Sequence, residues 1–303
     1  MIGLPFQDRH LDEKDPLSSG SNPSRPAAAN PAQDPLQADR QVAERIAQEA
    51  GKILMEGWGT RPSYGFKSED INLVTEFDKR SEALVVERLA AAFPHDSIVA
   101  EEGTSVAREA GGRIWYVDPL DGTTNFAHGF PLFSVALGLC VGRRPVLGVV
   151  EAPAMGWSFS GTVTGGGSSW NGKPITPSRV DRLGGALLVT GFPYARNPVQ
   201  TNLPEWTAFT AAAQGTRRLG SAALDLCFVA CGWLDSYWER ALHPWDLVGG
   251  AAIVQGAGGQ VSDLDGSEFD GVTGRILASN GLLHDQMMRI LQGVARRSSS
   301  PWP

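Results

Sequence analysis

Asp118 and Asp121 stand in the run Trp115-Tyr116-Val117-Asp118-Pro119-Leu120-Asp121-Gly122-Thr123-Thr124-Asn125-Phe126, and their types and spacing make them the first candidates for chemistry. The short apolar run Ile114 to Val117 predicts a buried strand, because aromatic and β-branched residues suit a pleated surface. Asp118-Pro119 ends that run, and Asp121-Gly122 forces a turn. Both carboxylates are thereby delivered to a strand's end, with Thr123 and Thr124 at the mouth of a following helix. Two carboxylates on one tight turn repel each other unless a hard cation lies between them, and an oxygen-only donor set suits Mg²⁺. The same dipeptides also build ordinary loops, so a metal site would need further acids beside them.

Four other places offer them. Glu101-Glu102 closes the apolar run Ile98 to Ala100 and precedes Gly103, which puts acids at a second strand end. Asp78 opens a helix after Val74-Thr75, and Lys67 lies in the polar loop just before it. Trp245-Asp246 begins a helix after His243-Pro244, and Glu239 follows the extended run Ser236 to Trp238. Each has a plainer reading when taken alone. Glu101-Glu102 reads as a solvated pair, Asp78 and Asp246 as helix-start acids complementing the macrodipole, and Glu239 as a surface carboxylate beside Arg240.

The elements that must position these residues follow from periodicity. Residues 1–36 are rich in Pro, Ser, Asp, Asn and Ala without periodic hydrophobicity, and read as a disordered extension. Val42, Ile46, Ala50, Ile53 and Leu54 predict an amphipathic helix ending near Gly57, and Leu84, Val85, Leu89 and Ala92 predict a second that stops before Pro94. Short strands divided by Gly and Pro are expected at 98–100, 114–117, 133–141, 146–151, 158–163, 173–175 and 187–190. Beyond them, helices at 204–213, 221–231, 245–255 and 282–291 alternate with strands at 217–219, 236–238, 259–261 and 276–278. The sum is an α/β protein, a layered α+β sandwich of helices and mixed sheets. It divides into an N-terminal half, 37–184, with most candidate ligands, a C-terminal half, 185–296, that completes the site, and a frayed tail, 297–303.

Composition sets outer limits. The chain has 303 residues, 42% of them hydrophobic, and a formal net charge of −7, which argues against a general binder of nucleic acid or anionic membranes. Arg113, Arg143-Arg144 and Arg217-Arg218 form a locally more basic region whose plain reading is a solvated face. Cys140, Cys227 and Cys231 match neither a zinc spacing nor a disulfide framework and read as reduced thiols in a cytoplasmic protein. No apolar run is long enough to span a membrane, and the N-terminus lacks the basic-then-apolar pattern of an export signal.

Taken together, these residues resemble the inositol monophosphatase family of Mg²⁺-dependent, lithium-sensitive phosphatases. The likeness runs in order from about 39 to 295. It is carried by Lys67 with Asn72 to Asp78, Glu101-Glu102-Gly103, Trp115 to Phe126, Gly220-Ser221-Ala222-Ala223, and Glu239 with Pro244-Trp245-Asp246. The resemblance implies that fold, two or three Mg²⁺ per site, and bacterial inositol-1-monophosphatases as the nearest kin. Glu101, Asp118 and the Leu120 carbonyl would hold the first ion, and Asp118, Asp121 and Asp246 the second, with a third near Glu101. Water activated by the metal and hydrogen-bonded to Glu101 and Thr123 would attack phosphorus in line, with Asp78 orienting Thr123. Gly122 and Thr123 would hold phosphate oxygens through their amides. Ser221, Ala222, Asp121 and Glu239 would line the substrate pocket, and Lys67 would support the loop. The implied partner is a small phosphorylated polyol, first of all myo-inositol monophosphate, and the implied assembly a homodimer. Histidinol phosphate, 3′-phosphoadenosine 5′-phosphate and fructose 1,6-bisphosphate remain open on the same scaffold, with Arg196, Arg217 and Arg218 available to a second phosphate. A regulatory or scaffold protein wearing the fold is the reading from a different class, and the retained acids weigh against it.

Overall fold

The computed structural model describes residues 34–60, 64–66, 73–108, 112–193 and 202–298. Helix α1 (Gln37–Gly57) buries Ala43, Ile46, Ala47, Ala50 and Leu54, a stripe at three- and four-residue spacing that must find an apolar partner. A short antiparallel pair, β1 (Tyr64–Phe66) and β2 (Leu73–Thr75), leads into α2 (Glu76–Ala92), which packs against α1. The chain then forms β3 (Ser97–Ala100), β4 (Ser105–Val106), β5 (Arg113–Asp121), the one-turn helix α3 (Thr123–Ala127), β6 (Ser134–Val141), β7 (Arg144–Ala152), β8 (Trp157–Thr162), β9 (Gly167–Trp170) and β10 (Lys173–Pro174). Eight of these strands make one sheet in the order β10-β9-β8-β7-β6-β5-β3-β4. It is antiparallel except for the parallel pair β3 and β5.

The second part of the chain supplies β11 (Leu187–Thr190), α4 (Leu203–Ala212), β12 (Gly215–Arg217), α5 (Ala222–Ala230), β13 (Ser236–Arg240), α6 (Pro244–Gly256), β14 (Gln260–Ser262), β15 (Arg275–Ser279) and α7 (His284–Ser298). Its five strands form a mixed sheet in the order β12-β11-β13-β15-β14. Among the described residues, three large apolar cores and a small fourth around Tyr116, Cys140 and Val248 lie between five layers. One lies between α1, α2 and the first sheet, around Leu54, Leu89, Trp115 and Phe133. The second lies where α5 and α6 are sandwiched between the two sheets, and the third where α4 and α7 cover the outer face of the second sheet. The layered α/β architecture read from periodicity is the one observed.

One close approach matters for the site. A Cβ on Gly148 would run into the backbone of Gly249, and one on Gly138 would meet the Gly249 nitrogen at 2.5 Å. Glycines on β6, β7 and α6 therefore let α6 lie almost on the sheet, bringing its first turn down to the end of β5. The three cysteines are free, with Cys140 and Cys227 buried and Cys231 partly so. Among the described residues, no helix is long and apolar enough to cross a membrane.

Several boundaries differ from the sequence reading. The strand expected to stop at Asp118-Pro119 continues to Asp121, and strands β1, β2, β4 and β9 are additional, whereas β3 matches the strand expected at 98–100. These strands are only two to four residues long, too short for alternation to be read. Helix α7 runs to Ser298, past the tail boundary expected at 297. The expected N-terminal extension lies outside the described residues up to position 33, as does Lys67.

Candidate active site

Strand β5 delivers two carboxylates to one face through a defect in its pairing. Side chains alternate along a strand, so residues 118 and 121, three apart, would ordinarily face opposite sides. Asp118 pairs with Ala136 and Asp121 with Ser134, so three steps on β5 match two on β6. The extra residue is a β-bulge, which returns Asp121 to the face of Asp118. Gly122 follows in the left-handed region at φ 84°, where a Cβ would lie 2.9 Å from the Leu132 carbonyl. Phe126 in α3 then anchors the turn between Phe77 and Phe133, at ring distances of 5.8 and 5.0 Å.

Helix α2 holds this turn from one polar stripe. Asp78 Oδ2 accepts hydrogen bonds from the Thr75 amide at 2.8 Å and the Thr75 hydroxyl at 2.6 Å, forming a capping box with Thr75. Its Oδ1 lies 3.3 Å from Thr123 Oγ1, which also reaches the Leu120 carbonyl at 3.0 Å. Ser81 donates to the Pro119 carbonyl at 2.9 Å. Glu82, buried on the same stripe, accepts from the amides of Glu102 at 2.7 Å and Thr104 at 3.2 Å and from the Thr104 hydroxyl at 2.6 Å. The loop that carries Glu101 is thus tied to the helix that carries Asp78.

The opposite wall comes from the second half of the chain. Ser221 caps α5 and its hydroxyl donates to Asp121 Oδ2, which also accepts from the Ala223 amide at 2.9 Å. Asp246, in the first turn of α6, accepts from the His243 amide at 2.6 Å. Glu239, next to last on β13, is 5% exposed and accepts from the Tyr237 hydroxyl at 2.6 Å. Glu101, Asp121, Ser221, Ala222, Glu239 and Asp246 line a single cleft, with Arg218 and Asp225 also in its wall.

These acids perturb one another strongly. Burial, reinforced by Glu101, Asp121 and Asp246, holds the Asp118 carboxyl well above the usual range. Burial pushes Asp121 up to about 7 against the opposing bonds from Ser221, Ala223 and Ala222, and pushes Glu239 up to about 8. Such a cluster of oxygen donors, carrying more negative charge than its surroundings balance, has the chemistry of a site for a hard divalent cation. Among the described residues, no three His, Cys, Asp or Glu side chains stand ready-formed around one point. The donor set fits in kind, in burial and in its uncompensated charge.

With this geometry in view, comparison with known proteins is decisive. A family model described as "Inositol monophosphatase family" matches residues 36–296. The chain belongs to the inositol monophosphatase family. It is 41% identical over 257 residues to the inositol-1-monophosphatase of Synechocystis sp., a match covering 84% of this chain and 89% of that one. It is 40% identical over 256 residues to the phosphatase IMPL1, chloroplastic, of Arabidopsis thaliana, covering 82% and 68%. Among solved structures, the inositol monophosphatase from Anabaena (Nostoc) sp. superposes with a TM-score of 0.78 at 40% identity, covering 88% of this chain and 99% of that one. The family is one of phosphoric monoester hydrolases, and the layered fold is common to it and to this chain.

Six of the family-matched acids quoted from the sequence are in or beside one cleft: Asp78, Glu101, Asp118, Asp121, Glu239 and Asp246. Thr123, the Leu120 carbonyl and Gly122 sit on the same turn. Glu82, Ser81, Tyr237 and Asp225 were not legible as site residues. Glu82 had a signal, since it falls four residues after Asp78 and three before Val85, at the edge of the helix's buried side. Asp225 had a stronger one: an acid inside the apolar run Ala222 to Ala230 needs a partner or a purpose.

Proposed function

We propose that this chain hydrolyses myo-inositol monophosphate to inositol and phosphate with two or three Mg²⁺ bound by Glu101, Asp118, Asp121, Asp246 and the Leu120 carbonyl. The observation that supports it best is the meeting, in one cleft, of four acids from three elements with a buried acceptor, Glu239, on the far wall. Mg²⁺, when bound, supplies charge neutralisation for the phosphate and Lewis-acid activation of the attacking water.

The chain's own residues supply orientation and proton handling. Thr75 fixes Asp78 so that its Oδ1 faces Thr123. With its hydrogen directed to Asp78, Thr123 Oγ1 presents lone pairs to a water's proton, and Glu101 takes up the other as general base. The amides of Gly122 and Thr123 hold phosphate oxygens beside the bulge. Asp121, fixed by Ser221 and Ala223, keeps its outer oxygen toward the cleft. Glu239, oriented by Tyr237, accepts a hydroxyl hydrogen of the departing polyol.

Phosphate release from inositol 1-phosphate, histidinol phosphate, 3′-phosphoadenosine 5′-phosphate and fructose 1,6-bisphosphate, with and without Mg²⁺, tests this. The expected outcome is Mg²⁺-dependent release with the highest kcat/KM for the inositol ester. A higher value for another ester overturns the role given to Glu239, and release that persists after chelation overturns the metal assignment.

A further inference from the structure

Asp225 is a carboxylate with no evident structural task. It lies in the first turn of α5, 1% exposed, and its Oδ1 is fully buried without a hydrogen-bond partner. Leaving such a group unpaired costs about 1–3 kcal/mol, more when charged, so a fold retains one where a ligand supplies the missing donor. Asp225 is part of the cleft wall together with Glu239 and Arg218. Two glycines bring those neighbours in. A Cβ on Gly191 would collide with both carboxylate oxygens of Glu239. One on Gly220, at φ 91°, would collide with the Arg218 guanidinium and come within 3.1 Å of the Asn125 amide. Two acceptors thus stand near one guanidinium in the wall of the cleft.

We propose that Asp225 is a second hydroxyl acceptor in this pocket, working beside Glu239 and Arg218, so that the leaving group is recognised through at least two of its hydroxyls. This rests on the reading of the cleft as a polyol phosphate site and names what that site reads. A hydroxyl is both donor and acceptor, so it can give its hydrogen to a carboxylate while its oxygen takes one from a guanidinium. A vicinal diol satisfies all three groups. A second phosphate meets two carboxylates, an ammonium group meets Arg218, and a bare aryl or alkyl alcohol leaves the buried acceptors unpaired, which is how polar sites discriminate most strongly.

The test compares wild type and Asp225→Asn, which keeps side-chain size, on inositol 1-phosphate and on p-nitrophenyl phosphate, whose leaving group carries no further hydroxyl. The expected result is a fall of about tenfold, equivalent to about 1.4 kcal/mol, in the ratio of kcat/KM for the inositol ester to that for the aryl ester, mostly through KM. Single-deoxy inositol phosphates give the second arm. One of them should lose on wild type what inositol 1-phosphate loses on Asp225→Asn, with no further loss when the two are combined. Equal losses on both esters, or an additive combination, overturn the proposal. A wild type that hydrolyses the aryl ester but shows no preference for the inositol ester overturns the polyol reading itself, together with the role of Asp225.

Discussion

The carboxylate of Asp118 is 2% exposed and surrounded by Glu101, Asp121 and Asp246. Its Oδ1 is engaged by the Leu120 amide at 3.0 Å, so its shape is set by the turn and its charge by what binds. Replacing a like charge in such a cluster by an amide relieves repulsion in the metal-free fold. Asp118→Asn is therefore expected to unfold at the same temperature as wild type or higher without Mg²⁺. Its turnover should nevertheless fall by roughly a hundredfold or more, beyond what loss of an outer partner of a metal ligand costs. A variant that kept normal turnover would show that Asp118 is no ligand. At this scale the sequence was informative because two acids three apart on one turn have a narrow chemistry. Asp225 and Glu82 escaped because an acid's burial depends on what the rest of the chain packs around it.

At the scale of elements, α2 holds a loop and a strand end in register. Glu82 receives three donors from the Glu102–Thr104 segment, and Ser81 takes hold of Pro119 at the bulged end of β5. In Glu82→Gln, whichever way the amide turns, its NH₂ would face a backbone N–H, of Glu102 or of Thr104, and the Glu101 loop would loosen. The Mg²⁺ concentration for half-maximal activity is expected to rise by about 10–100-fold, with kcat largely recovered at saturating Mg²⁺. Calorimetric titration of the variant with Mg²⁺ should show the same weakening. A fall in kcat with an unchanged Mg²⁺ requirement would mean that Glu82 supports the fold and does not position Glu101. The long helices were legible from their periodicity, as were the strands with clear apolar runs. The β5 bulge was not, because Asp118-Pro119 and Asp121-Gly122 read as turn signals, whereas pairing with β6 carries the strand through them.

For the whole molecule, the layers bring elements far apart in sequence into one acidic cleft, and this links stability to pH. Asp121 and Glu239 carry folded-state values of about 7 and about 8, above the ordinary 3.8 and 4.5, and Asp118 and Asp225 shift the same way. The folded chain thus holds more protons than the unfolded one across that interval. Their contribution to stability is complete below about 4 and is lost as pH rises through 7 and then 8. Urea unfolding of the metal-free protein should accordingly show a lower midpoint at pH 8.5 than at pH 5, and added Mg²⁺ should raise the midpoint at pH 8.5. A metal-free midpoint that is higher at pH 8.5 would contradict the account of the cleft. The order of layers was legible from the alternation of helices and strands. The depth to which α6 settles on the sheet was not, since Gly138, Gly148 and Gly249 declare their purpose only when they face one another.

The central claim is that these acids form a Mg²⁺-dependent phosphatase site for an inositol monophosphate. Its most direct test is phosphate release from inositol 1-phosphate by the full chain across a Mg²⁺ titration, starting from chelated enzyme. The account predicts no release at zero Mg²⁺ and saturable release as the ion is added. Release that is independent of Mg²⁺, or no release at any concentration, would contradict it.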